Sequence, residues 1–390
     1  MSSDPAHTDI AIVGAGAVGL VAALALAGEG WRVSVIGAAA APRDGRTVAL
    51  LDGSWQMLAD LGITAALAEK AAPLAVMRLV DDTGSLFRQP PVEFRASEVG
   101  LEAFGWNVGN AELVEALVDV VGQNPGISLV EGLVSEIVPG PEAVALSGAA
   151  FGPVRARLVI GADGRQSRVR QAAGIVARDW HYPQTALTGI FSHRREHYDT
   201  STEFHTRKGP CTLVPLPGRR SSLVWMLDPA EAEQVAALDD TAFARRVEAQ
   251  THSLLGALTL AGPRGKIPMG GLSVERFAAQ RMALVGEAAH VFPPIGAQGL
   301  NLGLRDVAAL RKAVHGAQDP GGEPAMTAYD SARQSDVRLR TGAVDMLNRT
   351  LLTDLVPADL LRGAGLLALS RIGPLRRLVM RQGLAGGSAG

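Results

Sequence analysis

The sequence predicts an α/β protein: a Rossmann-like dinucleotide domain assembled from separated segments, with an inserted antiparallel sheet and C-terminal helices. Three observations predict it. Gly14-Ala15-Gly16-Ala17-Val18-Gly19 joins a β-rich run to an Ala/Leu-rich one. Two more strand-to-glycine junctions stand near residues 160 and 285. Between them, apolar and polar residues alternate with turn signals, the pattern of antiparallel strands.

The elements follow in order. Asp9 to Val13 reads as a short buried strand, Leu20 to Gly28 as a helix ended by glycine, and Trp31 to Ile36 as a second strand. Together they form a βαβ unit of about 30 residues. Trp55 to Leu61 is helical. Met77 to Phe94 reads as antiparallel strands with turns at Asp82-Thr83-Gly84 and Pro90-Pro91. Asn110 is placed to cap a helix through Val121. Ile127 to Val130, Val134 to Val138 and Ala143 to Leu146 read as a meander, and Arg157 to Ile160 as a buried strand. Thr185 to Leu227 is strand-like and Glu231 to Leu258 helical; Met282 to Val285 is a strand feeding Gly286. Leu300 to His315 and Ala325 to Leu352 read as long helices.

With 390 residues, 47% hydrophobic and 19% charged, the chain can bury a sizeable core. Its net charge of −2 points to no nucleic-acid partner. One cysteine, Cys211, excludes an intrachain disulfide and an all-cysteine metal site, and suits a reducing compartment. Met1 to Asp9 is polar, so no secretory leader is expected. Ile10 to Ala27 carries no charge and is long enough for a membrane span. Its three glycines and its change from β-rich to Ala/Leu-rich fit strand, turn and buried helix better.

The first motif has the spacing of a dinucleotide fingerprint. Gly14 permits the tight turn, Gly16 lets a pyrophosphate approach the backbone, and Gly19 lets helix and strand pack closely. The helix N-terminus supplies N–H groups to the phosphates. No Asp or Glu stands between Gly30 and Arg43 to bind a ribose, and Gly37 takes the place where the acid is expected. Arg43 could face a phosphate, which taken alone favours NADP. A dinucleotide is predicted but not named.

The second motif, Gly161-Ala162-Asp163-Gly164 through Arg170, puts a carboxylate on a tight turn after a strand. The third runs from Leu284-Val285-Gly286-Glu287 through His290 to Pro293-Pro294-Ile295-Gly296-Ala297-Gln298-Gly299-Leu300-Asn301 and Asp306. It opens a helix whose N–H groups suit an anionic ring edge. Glu287 could bind sugar hydroxyls. His290 has no partner at metal-ligand spacing and reads as packed and hydrogen-bonded.

These three motifs, in this order, resemble the flavin-dependent aromatic monooxygenases of the para-hydroxybenzoate hydroxylase fold. Arg46 with Ala49-Leu50 and Ser54, Tyr182 with Gln184, Glu203-Phe204 before Gly209-Pro210, and Leu216-Pro217 narrow the resemblance to the ubiquinone-biosynthesis hydroxylases, the UbiH/UbiF family. It spans roughly Asp9 to Arg340. The resemblance implies non-covalent FAD, with its adenosine diphosphate at Gly14, Gly16, Ala17, Val18 and Gly19. Arg46 and Asp163 would lie along it, and Glu287 near ribityl and pyrophosphate; Gly164 on the Asp163 turn and Arg43, from its own position, join the candidate cofactor-binding residues. Pro294, Gly296, Gln298, Gly299, Leu300 and Asn301 would stand beside the isoalloxazine. It further implies NADH or NADPH as co-substrate, O2 and an aromatic, polyprenylated substrate; from the residues themselves no metal site is expected. The FAD-binding domain would comprise 1–75, 101–178 and 276–345, the substrate domain 76–100 and 179–275, and a C-terminal helical segment 346–390. Two departures stand out. Glu287 occupies a position where the wider superfamily has Asp. Gly37 replaces the ribose acid, which predicts weakened FAD binding and a gain on Gly37→Glu, provided the backbone there tolerates a side chain.

The resemblance calls for a site that stabilises anionic reduced flavin, excludes water, and offers a phenol a base or hydrogen-bond acceptor. No base is identified: His181, His193, His197 and His205 lie in the substrate region and read as exposed or structural. Gly363-Ala364-Gly365 through Ala368 follows no strand and is not taken as a second fingerprint. Phenol or polyketide hydroxylases of the same fold would share the three motifs, and a non-catalytic dinucleotide-binding protein would keep the fold. A flavin halogenase lacks support, because the tryptophans are scattered. An NADP dehydrogenase leaves residues 286–306 unexplained. From Leu360 onward there are five Arg and no acid, interleaved with Leu. This tail suits docking on the flavin domain, as the breaks at Gly365, Gly373 and Pro374 favour. The alternative is a peripheral contact with an anionic inner-membrane surface or a ubiquinone-pathway protein. The expected location is cytoplasmic, with that membrane contact as its one qualification.

Overall fold

The structure, a computed structural model, describes residues 6–38, 45–84, 90–292 and 298–336. A parallel sheet runs in the spatial order Met282–Leu284, Phe151–Gly161, Ala6–Val13, Val33–Ile36, Ile127–Val130. Ile10, Ala11, Ile12, Leu158, Val159 and Ile160 are all fully buried. Both faces of these strands are covered, which is why they read as continuous apolar runs. The helix Ala17–Ala27 is buried from Gly19 through Leu26. It lies between the sheet and two further helices, Asn110–Gln123 and Gln298–Val314. An all-round apolar helix is thus an interior one, and the uncharged stretch Ile10 to Ala27 is strand, turn and helix. Among the described residues no helix is long and apolar enough to cross a membrane.

A second sheet is ordered His290–Val291, Gly265–Val274, Ala177–His193, Arg220–Leu227, Gly209–Leu216, Thr200–Thr206, Val76–Asp81, Val92–Arg95. It is antiparallel except where Thr200–Thr206 meets Val76–Asp81, a strand arriving from the N-terminal part of the chain. One face packs Leu187, Phe191, Phe204, Leu213, Leu223 and Trp225 against Ala232, Val235, Phe243 and Val247. Those last four belong to helices Pro229–Ala236 and Asp240–Gln250, capped by Asp228 and Asp239. Cys211 is fully buried on the same face, and burial pushes its thiol pKa up. A small third sheet, Thr47–Leu51, Gly105–Gly109 and Ala71–Pro73, meets the large one where the Thr47 hydroxyl donates to Ser222.

Several elements differ from expectation. The Ala17–Ala27 helix ends on a right-handed Gly28, and the left-handed turn falls at Gly30. Asn110 is the first residue inside its helix; Gly109 is the cap, and no side chain caps it. Ile127–Val130 leaves the expected meander to pair in parallel with Val33–Ile36. Val134–Val138, Val144–Gly148 and Phe151–Gly161 form the meander instead. The long helical stretch after Glu231 breaks into two at Asp239, whose side chain caps the second helix. Residues 323–336 are helical. The rest of the expected helix to Leu352, the Gly363 to Ala368 match and the basic tail lie outside the described residues.

Candidate functional site

The three motifs meet at the C-terminal ends of the parallel strands. Gly14 has φ +113°, and a Cβ there would stand 2.3 Å from the Ala162 carbonyl oxygen, so only glycine lets the first turn touch the second. A Cβ at Gly19 would stand 2.0 Å from the Gly14 carbonyl oxygen, so the helix start packs on its own turn. A Cβ at Gly16 would meet no heavy atom within 4 Å. That exposed position borders open space, with the N-terminus of helix Ala17–Ala27 behind it. Val18 lies against Gly286 and Gly303, tying the first motif to the third.

At Gly37 the condition for a gain on Gly37→Glu is not met. A Cβ there would come within 2.9 Å of the Ala15 backbone nitrogen and 3.3 Å of its side chain. The phosphate loop sits too close to the second strand for a side chain to enter without moving it, so Gly37→Glu is not a simple gain of a ribose acceptor.

Asp163 Oδ2 accepts the backbone N–H groups of Arg168 at 2.7 Å and Val169 at 3.3 Å, which holds the turn. Its Oδ1 is buried and has no hydrogen-bond partner. Gly164 follows with φ +78°. Arg170, nearly buried, donates to the Ala288 carbonyl at 2.8 Å and the Arg165 carbonyl at 2.7 Å, linking the second motif to the third. Glu287 is exposed in a short 3-10 turn. Arg46 is exposed at the head of strand Thr47–Leu51, its carbonyl accepting the Asn110 N–H. Gln298 opens the third-motif helix, with Gly299 exposed and Leu300 half-buried beside it.

Asn301 is buried, and its amide is engaged: Oδ1 accepts from Leu51 N and Nδ2 donates to the Ala49 carbonyl. The residue expected beside the flavin ring therefore fixes the helix start to the third sheet. Arg43, Pro294 and Gly296 lie outside the described residues.

Sequence reasoning missed a buried charge network under the third motif. Asp306, wholly buried, accepts from Gly286 N at 2.8 Å, lies 2.6 Å from His290 Nε2, and binds Arg333 Nε at 2.7 Å. Arg333 also pairs with Asp336. His290 is indeed packed and hydrogen-bonded. The available signal was that Asp306 is the one acid of the Gln298–Val314 helix, flanked by the core residues Leu302, Val307 and Leu310.

Known proteins fit this geometry. The family described as FAD binding domain matches residues 7–123 and 142–339. The chain is similar to ubiquinone hydroxylase UbiL of Rhodospirillum rubrum, 34% identical over 96% of this chain and 89% of that one. It is 31% identical to 3-demethoxyubiquinol 3-hydroxylase of Escherichia coli, over 98% of this chain and the whole of the other. In fold it is similar to p-nitrophenol 4-monooxygenase PnpA of Pseudomonas putida, with a TM-score of 0.81 at 17% identity, covering 99% of this chain and all of that one.

Proposed function

The chain belongs to the FAD-binding family of aromatic monooxygenases that includes the ubiquinone-biosynthesis hydroxylases, and from that premise we propose that it hydroxylates the ring of a polyprenylated phenol on the route to ubiquinone. NADH or NADPH would serve as reductant and O2 as oxidant. The carrying observation is that the Gly14–Gly19 turn, the Asp163 turn and the Gly286 turn lie against one another.

This junction fits FAD. The buried, unpartnered Asp163 Oδ1 calls for a hydroxyl donor, which a ribose or ribityl chain carries. The open space at Gly16 admits a pyrophosphate. When bound, FAD supplies hydride acceptance and oxygen activation. The protein's own part is to bind and orient. The Gly14–Gly19 turn and the helix N-terminus behind it would hold the phosphates. Exposed Glu287 would take sugar hydroxyls. The start of helix Gln298–Val314, pinned by Asn301, would present its positive end to the ring. Residues 346–390 would carry any contact with a membrane or a pathway protein, in the cytoplasm.

Gly16→Val separates binding from folding, because a Cβ at this exposed position meets no heavy atom within 4 Å. We expect folded, colourless protein; stoichiometric flavin in that variant would overturn the FAD placement. Lipid analysis of a deletion strain tests the substrate. An accumulated, under-hydroxylated quinone precursor is expected, and unchanged ubiquinone would sink the pathway assignment.

A further inference from the structure

The large sheet has a second face, opposite the one covered by its two helices, and cross-strand register defines it. Ser222 pairs with Val214, and Val224 with Thr212. Thr212 pairs in turn with Glu203, and Pro210 with His205; Leu79 lies opposite Glu203 and Asp81 opposite His205. Residues opposite one another, and residues two apart on a strand, share a face. Ser222 accepts a hydrogen bond from Thr47 Oγ1 at 2.8 Å, and strand Thr47–Leu51 is clamped by Asn301 at the start of the third-motif helix. This face therefore looks toward the cofactor side. Leu79, Val214 and Val224 are half-buried there, and Met77 is 38% exposed.

In the middle of this apolar surface stand two ionisable groups. His205 Nε2 lies 3.0 Å from Glu203 Oε1, and Glu203 Oε2 accepts the Thr212 hydroxyl at 3.4 Å. His205 Nδ1 has no hydrogen-bond partner among the described residues. The other charged groups of the face are occupied. Asp81 accepts the Thr83 N–H and hydroxyl, and Arg220, near the far end, donates to the Pro217 carbonyl.

We propose that Glu203 and His205 receive the ring hydroxyl of the substrate, His205 Nδ1 taking its proton and Glu203 holding the imidazolium that results. The inference rests on the aromatic-hydroxylase reading above. The substrate O–H bond breaks and an Nδ1–H bond forms. The electron pair stays on the ring oxygen and raises electron density at the ortho and para carbons; the proton returns to that oxygen before product leaves. A carboxylate beside an imidazole orients the ring and stabilises its cation, as in other base pairs of this kind.

The experiment uses FAD-loaded protein and two probes, a short-chain 2-prenylphenol and its O-methyl ether, with binding read from the perturbed flavin absorbance. Wild type should bind the phenol at least about tenfold more tightly than the ether, the range of one hydrogen bond to a charged group. In Glu203→Gln and His205→Gln the preference should fall to within about twofold, at unchanged ether affinity and flavin content. Hydroxylation rate at saturating phenol should fall in both. Retained preference and rate in both variants would overturn the proposal while leaving the enzyme assignment standing. A wild type that binds the phenol selectively but hydroxylates no phenol or hydroquinone would sink the enzyme assignment and leave Glu203 and His205 as a binding pair only. Loss of ether affinity together with phenol affinity would mean a merely structural role and also overturn it.

Discussion

The Asn301 side chain accepts the Leu51 N–H at 2.9 Å while donating to the Ala49 carbonyl at 2.8 Å, so one buried amide replaces a missing strand partner along Thr47–Leu51. It joins the third-motif helix to the sheet that meets Ser222 of the large sheet. Asn301→Ala leaves the half-buried Leu51 N–H and Ala49 carbonyl without this partner. The expected cost is about 1–3 kcal/mol, from two hydrogen bonds lost at half-buried groups. Urea unfolding measures it, and flavin content should fall with it; a cost under about 0.5 kcal/mol would show that water or another group repairs the gap.

Gly37→Glu should weaken FAD rather than tighten it. The Cβ must displace the Ala15 nitrogen or move the second strand, and such overpacking costs about 1–3 kcal/mol. Flavin titration of Gly37→Ala and Gly37→Glu decides the matter. Both should bind less tightly than wild type; tighter binding by Glu alone would mean that the loop yields and the ribose acceptor is restored.

Asp306 and Arg333 should behave as one unit. Each is buried and ion-paired with the other at 2.7 Å. Removing either charge takes a fully buried counter-charge from the other, leaving Arg333 to Asp336 and Asp306 to Gly286 N and His290, so Asp306→Asn and Arg333→Met are each expected to cost about 3 kcal/mol. A double-mutant cycle in urea should show strong coupling. Additive effects would mean that Asp306 is held chiefly by Gly286 N and His290.

Burial pushes the His193 imidazole pKa down from its ordinary value. Its Nδ1–H donates to the Arg195 carbonyl at 2.7 Å, and the Ser221 hydroxyl donates to Nε2 at 3.0 Å, an arrangement of the neutral ring. His197 and Glu196 are the ionisable neighbours. The unfolded chain binds the proton more readily, so this stabilisation is present above the unfolded value near pH 6.5 and is lost as pH falls through the folded one. The Tm of wild type should drop more than that of His193→Gln between pH 7.5 and 5.5. Parallel curves would remove His193 from the acid response.

The βαβ unit and the three glycine turns were legible because their signals are local. Runs of Ile, Ala and Val, glycines at fixed offsets and a helix-forming stretch sit within a few residues of one another. Partner choice was less legible. Ile127–Val130 looks like any short strand, and only its neighbour Val33–Ile36 makes it an edge of the parallel sheet. Asn110 has the composition of a cap, yet the backbone turns one residue earlier, at Gly109.

By itself, then, the sequence determined the α/β class, the dinucleotide turn and the family, since each rests on residue type and short spacing. Only the tertiary structure decided that Asn301 is a clamp, that Gly37 excludes a side chain, that Asp306 meets Arg333, and that Glu203 and His205 share an open face. These facts depend on atoms within about 3 Å of each other in space, many of them far apart in sequence, or on strand register that no local pattern records.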